Sequence, residues 1–166
     1  MALPYVECEH YQLIEGELVV TGGRTPWHQI LVGNLLHAVH DYFEAHGGGM
    51  VVHAPLDVVL SRENVLHPDV LVIRDERRSI IRRENVQGAP DIAIEVVCED
   101  TRHRDEVVKR RIYERYGVTE YWMVDAVRRS VMIIRDGVES AATDPITTPL
   151  LPTFALALRD VFSEEP

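Results

Sequence analysis

Hydrophobic and polar positions alternate in several short stretches of the chain, a pattern that predicts β-strands. Residues 11–14 and 17–20 alternate on either side of Glu15-Gly16, which predicts a β-hairpin. Further strands are predicted at four apolar stretches, residues 56–60, 69–73, 121–125 and 131–135. The last two are close enough in sequence to form a second hairpin.

Two longer segments show the three- and four-residue spacing of a helix. The first begins at Pro26, because the fixed φ of proline suits a first helical turn. It is expected to end near His46, before a run of three glycines. The second is expected to start with Asp100 or Thr101 as its N-cap and to end at Gly117.

The stretch from residue 91 to 98 is the most informative strand. Side chains alternate between the two faces of a strand. One face is apolar and should pack inward; it carries Ile92, Ile94, Val96 and Cys98. The other face places the carboxylates of Asp91 and Glu95 on the same side. A carboxylate within an apolar strand is costly to bury without a partner, so Glu95 belongs either to a functional site or to a structural salt bridge.

The order of these elements is hairpin, helix, strands, helix, strands. It predicts an α/β or α+β domain with a central mixed sheet flanked by helices. The apolar segment 150–162 is expected to close the core. The 166 residues, 46% hydrophobic and 27% charged, match the length and composition of one globular domain. We therefore expect a single domain over residues 1–166, with its core at about 11–162.

Composition also bears on the compartment. No apolar run approaches the roughly 20 residues that span a bilayer, and residues 1–10 lack the features of a signal peptide. A cytoplasmic protein with no membrane partner is expected. Cys8 and Cys98 lack metal-ligand spacing and are expected to be reduced thiols, with Cys98 in a buried strand.

Asp69 and Glu95 are the first candidates for chemistry. Asp69 begins one predicted strand and Glu95 lies within the next long one, so the two carboxylates converge if the strands are neighbours. Two close carboxylates repel each other and need a cation or a shared proton. Mg²⁺ prefers oxygen ligands, and the carbonyl oxygen of Val96 could be a third. The alternative for Asp69 is a structural strand-start residue after Pro68.

Lys109 lies on the helix that follows Glu95. Asp105, Lys109 and Tyr113 are four residues apart in turn, so they share one helix face. That face could place the Lys109 ammonium over the carboxylates, where it would orient a water molecule and stabilise charge on a phosphate. The alternative is an ordinary surface ion pair between Lys109 and Asp105.

These residues resemble a known family. The matching stretches are residues 11–18, 68–72, 89–97, 105–110, 113 and 116–125, with a helix start at His28. They resemble the Uma-two type of restriction endonuclease, a branch of the PD-(D/E)XK nuclease superfamily, over nearly the whole chain. The resemblance implies a restriction-endonuclease-like core, Mg²⁺ or Mn²⁺ held by Asp69 and Glu95, and Lys109 as the catalytic lysine.

The chain departs from the pattern of this superfamily in several places. The superfamily lysine commonly stands two residues after the strand glutamate, where this chain has Val97. Gln12 replaces a glutamate common in the family, and Cys98 replaces a serine. The resemblance places His28 near the substrate, although a solvent-facing position in the first helical turn is the alternative. The remaining histidines, His37, His40, His53 and His67 among them, are interpreted as surface or loop residues.

The resulting hypothesis is a metal-dependent endonuclease acting on nucleic acid, with DNA preferred, and with Gln12, His28, Asp105 and Tyr113 on the substrate side. A net charge of −10 opposes it, because nucleic-acid binding usually requires a basic surface. Two arginine-rich stretches, 74–83 and 102–111, could supply a local basic rim. The alternatives are a nuclease-fold binding protein without useful activity and a hydrolase of RNA or another phosphoester. A homodimer is also expected, since enzymes that cut both strands are often two-fold dimers.

Overall fold

Two mixed β-sheets and the helices that pack on them form the structure, a computed structural model that describes residues 10–21 and 24–163. The strands are β1 His10–Ile14, β2 Glu17–Thr21, β3 Gly49–His53, β4 Val58–Val59, β5 Val65–Leu66, β6 Val70–Arg74, β7 Val86–Gln87, β8 Ile92–Val97, β9 Glu120–Asp125, β10 Ser130–Arg135 and β11 Val138–Ala141. The α-helices are α1 Pro26–His46, α2 Arg110–Tyr116 and α3 Leu158–Val161, with a 3₁₀ segment at Asp75–Ile80 and a π-helical segment at Arg104–Lys109 that runs into α2.

The larger sheet has six strands in the order β11-β10-β9-β8-β6-β3. Its centre joins β8 in parallel to β9 and antiparallel to β6. Val70, the first residue of β6, pairs with Ile94 of β8. Asp69 directly precedes Val70 and Glu95 directly follows Ile94, so the antiparallel register brings Asp69 and Glu95 to the same end of the pair. The convergence expected from the sequence therefore follows from strand pairing.

Helix α1 covers one face of this sheet. Its buried side chains, which include Leu31, Leu35 and Val39, pack with the β8 residues Ile92 and Ile94 in the main hydrophobic core. The side chain of Thr25 caps the helix by accepting a hydrogen bond from the His28 N–H at 3.2 Å. The cap fixes the first turn, and with it the position of His28.

The π-helical segment and α2 cover the opposite face. Ile112 and Tyr113 pack against Ala93 and Val97 of β8, the residues that alternate with those facing α1. Both faces of β8 are thus buried, which explains its nearly continuous apolar sequence. Gly117 ends α2 in the left-handed conformation, with φ of 83°.

The smaller sheet has the order β2-β1-β5-β4-β7. The β1–β2 hairpin turns at Glu15 and Gly16, both with positive φ. Leu13 of β1 pairs with Val65 of β5, and the Oε1 atom of Gln12 accepts a hydrogen bond from the His67 N–H at 3.1 Å. These contacts bring the hairpin next to the start of β6, where Asp69 lies.

The sequence predicted both hairpins, the whole of α1 and the three central strands to within about one residue. The second helix begins at Arg102, directly after Thr101, and the Thr101 carbonyl accepts the first helical hydrogen bond from the Asp105 N–H at 3.0 Å, so its predicted start is confirmed. Two predictions were wrong in detail. The 56–60 strand is only Val58–Val59. Cys98 lies just beyond β8 and is half-buried rather than within the strand.

Other predictions fall partly outside the structure. Cys8 and the first nine residues lie outside the described part of the chain. Residues 151–162 pack into the core as expected, through Leu151, Phe154, Leu156, Val161 and Phe162. Within residues 10–21 and 24–163, no helix combines the length and apolar character needed to cross a membrane.

Candidate active site

Glu95 and Lys109 form a buried ion pair at the centre of the molecule. The Lys109 Nζ lies 2.8 Å from Glu95 Oε1, and the two side chains are 2% and 1% exposed. Removal of two charges from water costs several kcal/mol per ion, which offsets much of the attraction between them. A contribution to stability is therefore a weak explanation for a buried pair of this kind. Because Lys109 is buried, the alternative of an ordinary surface ion pair between Lys109 and Asp105 is wrong.

The other two residues of the predicted helix face, Asp105 and Tyr113, both contact this pair. Asp105 Oδ1 lies 3.2 Å from the Lys109 Nζ, an ion pair without hydrogen-bond alignment. The Tyr113 hydroxyl donates to Glu95 Oε1 at 2.8 Å. The Tyr121 hydroxyl, on β9, donates to the carbonyl of Asp105 at 3.0 Å. All of these side chains are buried, so each is held in one position.

Asp69 lies at the same end of β8. Its Oδ2 accepts the Val96 N–H at 2.8 Å and lies 3.2 Å from His28 Nε2. Its Oδ1 lies 3.6 Å from a guanidinium nitrogen of Arg24. His28 is 2% exposed, which rules out the solvent-facing alternative for this residue.

The pKa values of Asp69 and Glu95 are shifted in opposite directions. Burial would raise the pKa of Asp69, but the hydrogen bond from His28 and the charges of His28, Arg24 and Lys109 bring it below its usual value. Burial raises the pKa of Glu95 to about 8; Lys109 opposes this shift, and Asp105 and Asp69 add to it.

Lys109 stays charged in this environment. Burial alone would lower the pKa of Lys109, but Glu95, Asp105 and Asp69 together raise it above its usual value. Three carboxylates thus face one buried ammonium, and the repulsion between them adds to the larger effect of burial in raising the pKa of Glu95. A further cation would favour the ionised form of Glu95.

The available oxygen atoms suit a hard divalent cation. Val96 directs its N–H to Asp69, and its carbonyl points to the same side, because both groups of a strand residue do so. Asp69 Oδ1 and Glu95 Oε2 take part in none of the hydrogen bonds described above. Two carboxylates and a carbonyl fit Mg²⁺ or Mn²⁺, which keep several waters. Among the described residues, no group of three or more His, Cys, Asp or Glu side chains is arranged for a metal.

The structure also places residues that the sequence pattern missed. Arg24 was not singled out, and His67 was interpreted as a surface or loop residue; its side chain is only 13% exposed. Both line a cavity beside Asp69, together with Gln12 and His28. No local spacing could have found them, because they meet Asp69 through separate parts of the chain. Val97, at the position of the common superfamily lysine, packs in the core with Ala93.

Comparison with known proteins identifies a family and a related fold. The family model described as "Putative restriction endonuclease", the Uma-two family, matches residues 3–159. The crystal structure of "a putative nuclease" from Anabaena variabilis superposes with a TM-score of 0.78, covering 92% of this chain and 89% of that chain at 16% identity. No sequence among the curated proteins matches this chain.

At 16% identity the structural match shows the fold, which is a nuclease-like mixed α+β fold as the sequence predicted. The family match covers nearly the whole chain. The chain therefore belongs to the Uma-two family, which is described as "Putative restriction endonuclease".

Proposed function

We propose that this protein is a Mg²⁺- or Mn²⁺-dependent endonuclease that hydrolyses phosphodiester bonds in DNA. The observation that carries the proposal is the buried cluster in which Lys109 contacts Glu95 at 2.8 Å while Asp69 stands opposite on the adjoining strand. Family membership supports the nuclease chemistry. In this proposal residues 1–166 form one catalytic domain, which acts as a homodimer when both strands are cut.

Asp69 and Glu95 would hold the cation, with the Val96 carbonyl as a third ligand. When bound there, the cation would supply polarisation of a phosphate oxygen and a lowered pKa of water. The chain's own groups do the positioning. Val96 N–H and His28 orient the Asp69 carboxylate, and Tyr113 orients Glu95. The Lys109 ammonium supplies a fixed positive charge for a phosphate oxygen, and Asp105 holds Lys109 in place.

A second candidate is a binding protein that keeps the nuclease fold without useful activity. Two contacts favour it: Glu95 Oε1 is already engaged by both Lys109 and Tyr113, so this oxygen has its partners without a metal. Gln12, where the family commonly has a glutamate, and the net charge of −10 point the same way. The two candidates differ in whether the site binds Mn²⁺.

Glu95→Gln is the decisive variant. Loss of the carboxylate should abolish Mn²⁺ binding measured by calorimetry and reduce cleavage of supercoiled plasmid DNA by at least about a hundredfold, as expected when a charge stabilising the transition state is lost. Glu44→Gln, at an exposed position on α1, is the matched control and should cleave normally. Plasmid cleavage by Glu95→Gln at the parent rate, with the fold intact by circular dichroism, would rule out the proposed site.

Absence of Mn²⁺ binding in the parent protein would favour the second candidate. Cleavage of RNA but not DNA under the same conditions would keep the metal site and change the substrate.

A further inference from the structure

A small cavity of about 80 Å³ lies beside Asp69, near the N-terminal end of α1. Its polar lining comes from distant parts of the chain: Gln12 of β1, Arg24 just before α1, His28 and Gln29 in the first turn of α1, His67 after β5, and the carboxylate of Asp69, which is paired with Arg24 and His28. The first turn of a 21-residue helix also carries a partial positive charge. In a protein of net charge −10, this is a local concentration of groups that attract anions.

Both imidazoles in the lining are fixed through one nitrogen. His28 Nε2 lies 3.2 Å from Asp69 Oδ2, and His67 Nε2 lies 2.7 Å from Asp57 Oδ1. Their Nδ1 atoms are buried and have no hydrogen-bond partner in the part of the chain that the structure describes. A buried polar atom without a partner costs about 1–3 kcal/mol. A ligand is therefore expected to supply the missing contacts.

The chemistry of the lining favours a phosphate over a nucleobase. The Arg24 guanidinium forms charge-assisted hydrogen bonds with phosphate oxygens. Because the Nε2–H of each imidazole faces a carboxylate, its Nδ1 donates to a phosphate oxygen when both ring nitrogens carry a proton. No Phe, Tyr or Trp is among the lining residues in the described part of the chain, so a base would lack the large aromatic ring on which bases commonly stack. The small volume also suits a compact group.

We propose that this cavity binds a phosphate group of the substrate backbone, next to the phosphodiester that is cut, and that Arg24, His28 and His67 are its ligands. The inference rests on the proposed nuclease function and adds a substrate-positioning subsite to it. Asp69 contacts both His28 and Arg24, so occupation of the cavity fixes the substrate relative to the candidate metal site.

Inorganic phosphate tests the cavity without any need for cleavage. During a phosphate titration of the metal-free protein, long-range ¹H–¹⁵N spectra should show shifts at His28 and His67. His37 and His40, exposed on α1, should stay unchanged. Equal shifts at all four histidines would overturn the proposal, because they would indicate general surface binding.

Arg24→Met should weaken phosphate binding by about tenfold or more, because it removes a hydrogen bond between charged groups. Arg62→Met, at an exposed arginine outside the cavity lining, is the matched control and should bind as the parent does. His67→Gln provides a second variant on the opposite wall. Parent-like phosphate affinity in both Arg24→Met and His67→Gln would overturn the proposal.

Experiments with a short DNA duplex separate this proposal from the nuclease proposal. Relative to the parent protein, the Arg24→Met variant should have a KM for duplex cleavage that is about tenfold higher. Unchanged KM together with active cleavage would reject the phosphate subsite and keep the nuclease. Phosphate-dependent shifts at His28 and His67 in a protein that cleaves nothing would keep the anion site and reject its nuclease role.

Discussion

At the scale of single residues, Glu95 has the most consequential environment. It is surrounded by one ammonium, two other carboxylates and a tyrosine hydroxyl, all buried. A carboxylate of this kind is stable when it is ionised beside a cation or when it is protonated. The pKa of about 8 means that both states are accessible near neutral pH.

This raised pKa predicts the pH dependence of stability. Unfolded Glu95 ionises near pH 4.5, whereas folded Glu95 ionises near pH 8. Its contribution to the free energy of unfolding is therefore fully present below pH 4.5 and declines as pH rises to about 8. The slope of this contribution approaches about 1.4 kcal/mol per pH unit at most. Urea denaturation of the metal-free protein between pH 5 and 8 measures it.

Glu95→Gln is the control, because the amide does not titrate and should flatten the decline. Saturating Mn²⁺ should flatten it as well, since a bound cation favours the ionised carboxylate. Asp69 has a lowered pKa, so its contribution is lost only in strong acid and does not overlap this window. Equal slopes for the parent and Glu95→Gln would contradict the prediction.

At the scale of elements, the first turn of α1 and the helical face around Lys109 position the site from opposite sides of the sheet. Thr25 holds the His28 N–H at the start of α1, and His28 reaches Asp69. The placement of one site residue thus depends on a helix cap.

Thr25→Ala should lower the free energy of unfolding by about 1 kcal/mol, because it removes the acceptor for an otherwise unpaired helix N–H. Urea denaturation tests the change, with Thr147→Ala at an exposed loop position as the control. We also expect weaker phosphate-induced shifts at His28, whose backbone loses its anchor. A Thr25→Ala protein as stable as the control would show that the cap does not hold this turn.

The sequence predicted elements best where the pattern was long. The periodicity of α1 and the apolar run of β8 were enough to place both. Strand β3 was missed because it follows directly on the glycine run, and Gly49 itself packs against Phe43, where a Cβ would lie 2.7 Å from the ring. The two-residue strands β5 and β7 were not predicted, because β5 is fixed by pairing with β1 and β4, and β7 by pairing with β4, rather than by a pattern of their own.

The same distinction applies to the candidate site. Asp105, Lys109 and Tyr113 could be grouped in advance because helical spacing fixes their common face. Arg24 and His67 could not, because their placement beside Asp69 depends on how the hairpin and α1 dock on the sheet. Burial was the other missing quantity. Spacing alone did not distinguish a surface pair of Lys109 and Asp105 from a buried one.

At the scale of the whole molecule, the charge distribution opposes the proposed partner. A net charge of −10 repels DNA at long range, while the cavity lining and the ammonium of Lys109 supply positive groups at the candidate site. Long-range repulsion is screened by salt over a Debye length of about 10 Å at 0.1 M.

We therefore expect the association rate with duplex DNA to rise, or stay level, as salt increases from about 10 mM to 100 mM. Stopped-flow fluorescence with Glu95→Gln, which should bind without cutting, measures the rate. A basic DNA-binding protein run in parallel should show the opposite trend. A steep fall of the rate with salt would mean that a local basic rim, such as residues 74–83, governs the encounter.

The position of Lys109 on a helix rather than on β8 has a further consequence for how such a site can be tuned. Two groups on one strand have a spacing set by the backbone, which hardly varies. Here the gap between Nζ and Glu95 depends on how closely the helix seats on the sheet, and Ile112 determines that seating through its contacts with Ala93 and Val97. Uncharged side chains of different size beneath the helix would thus adjust the spacing of the charges above it.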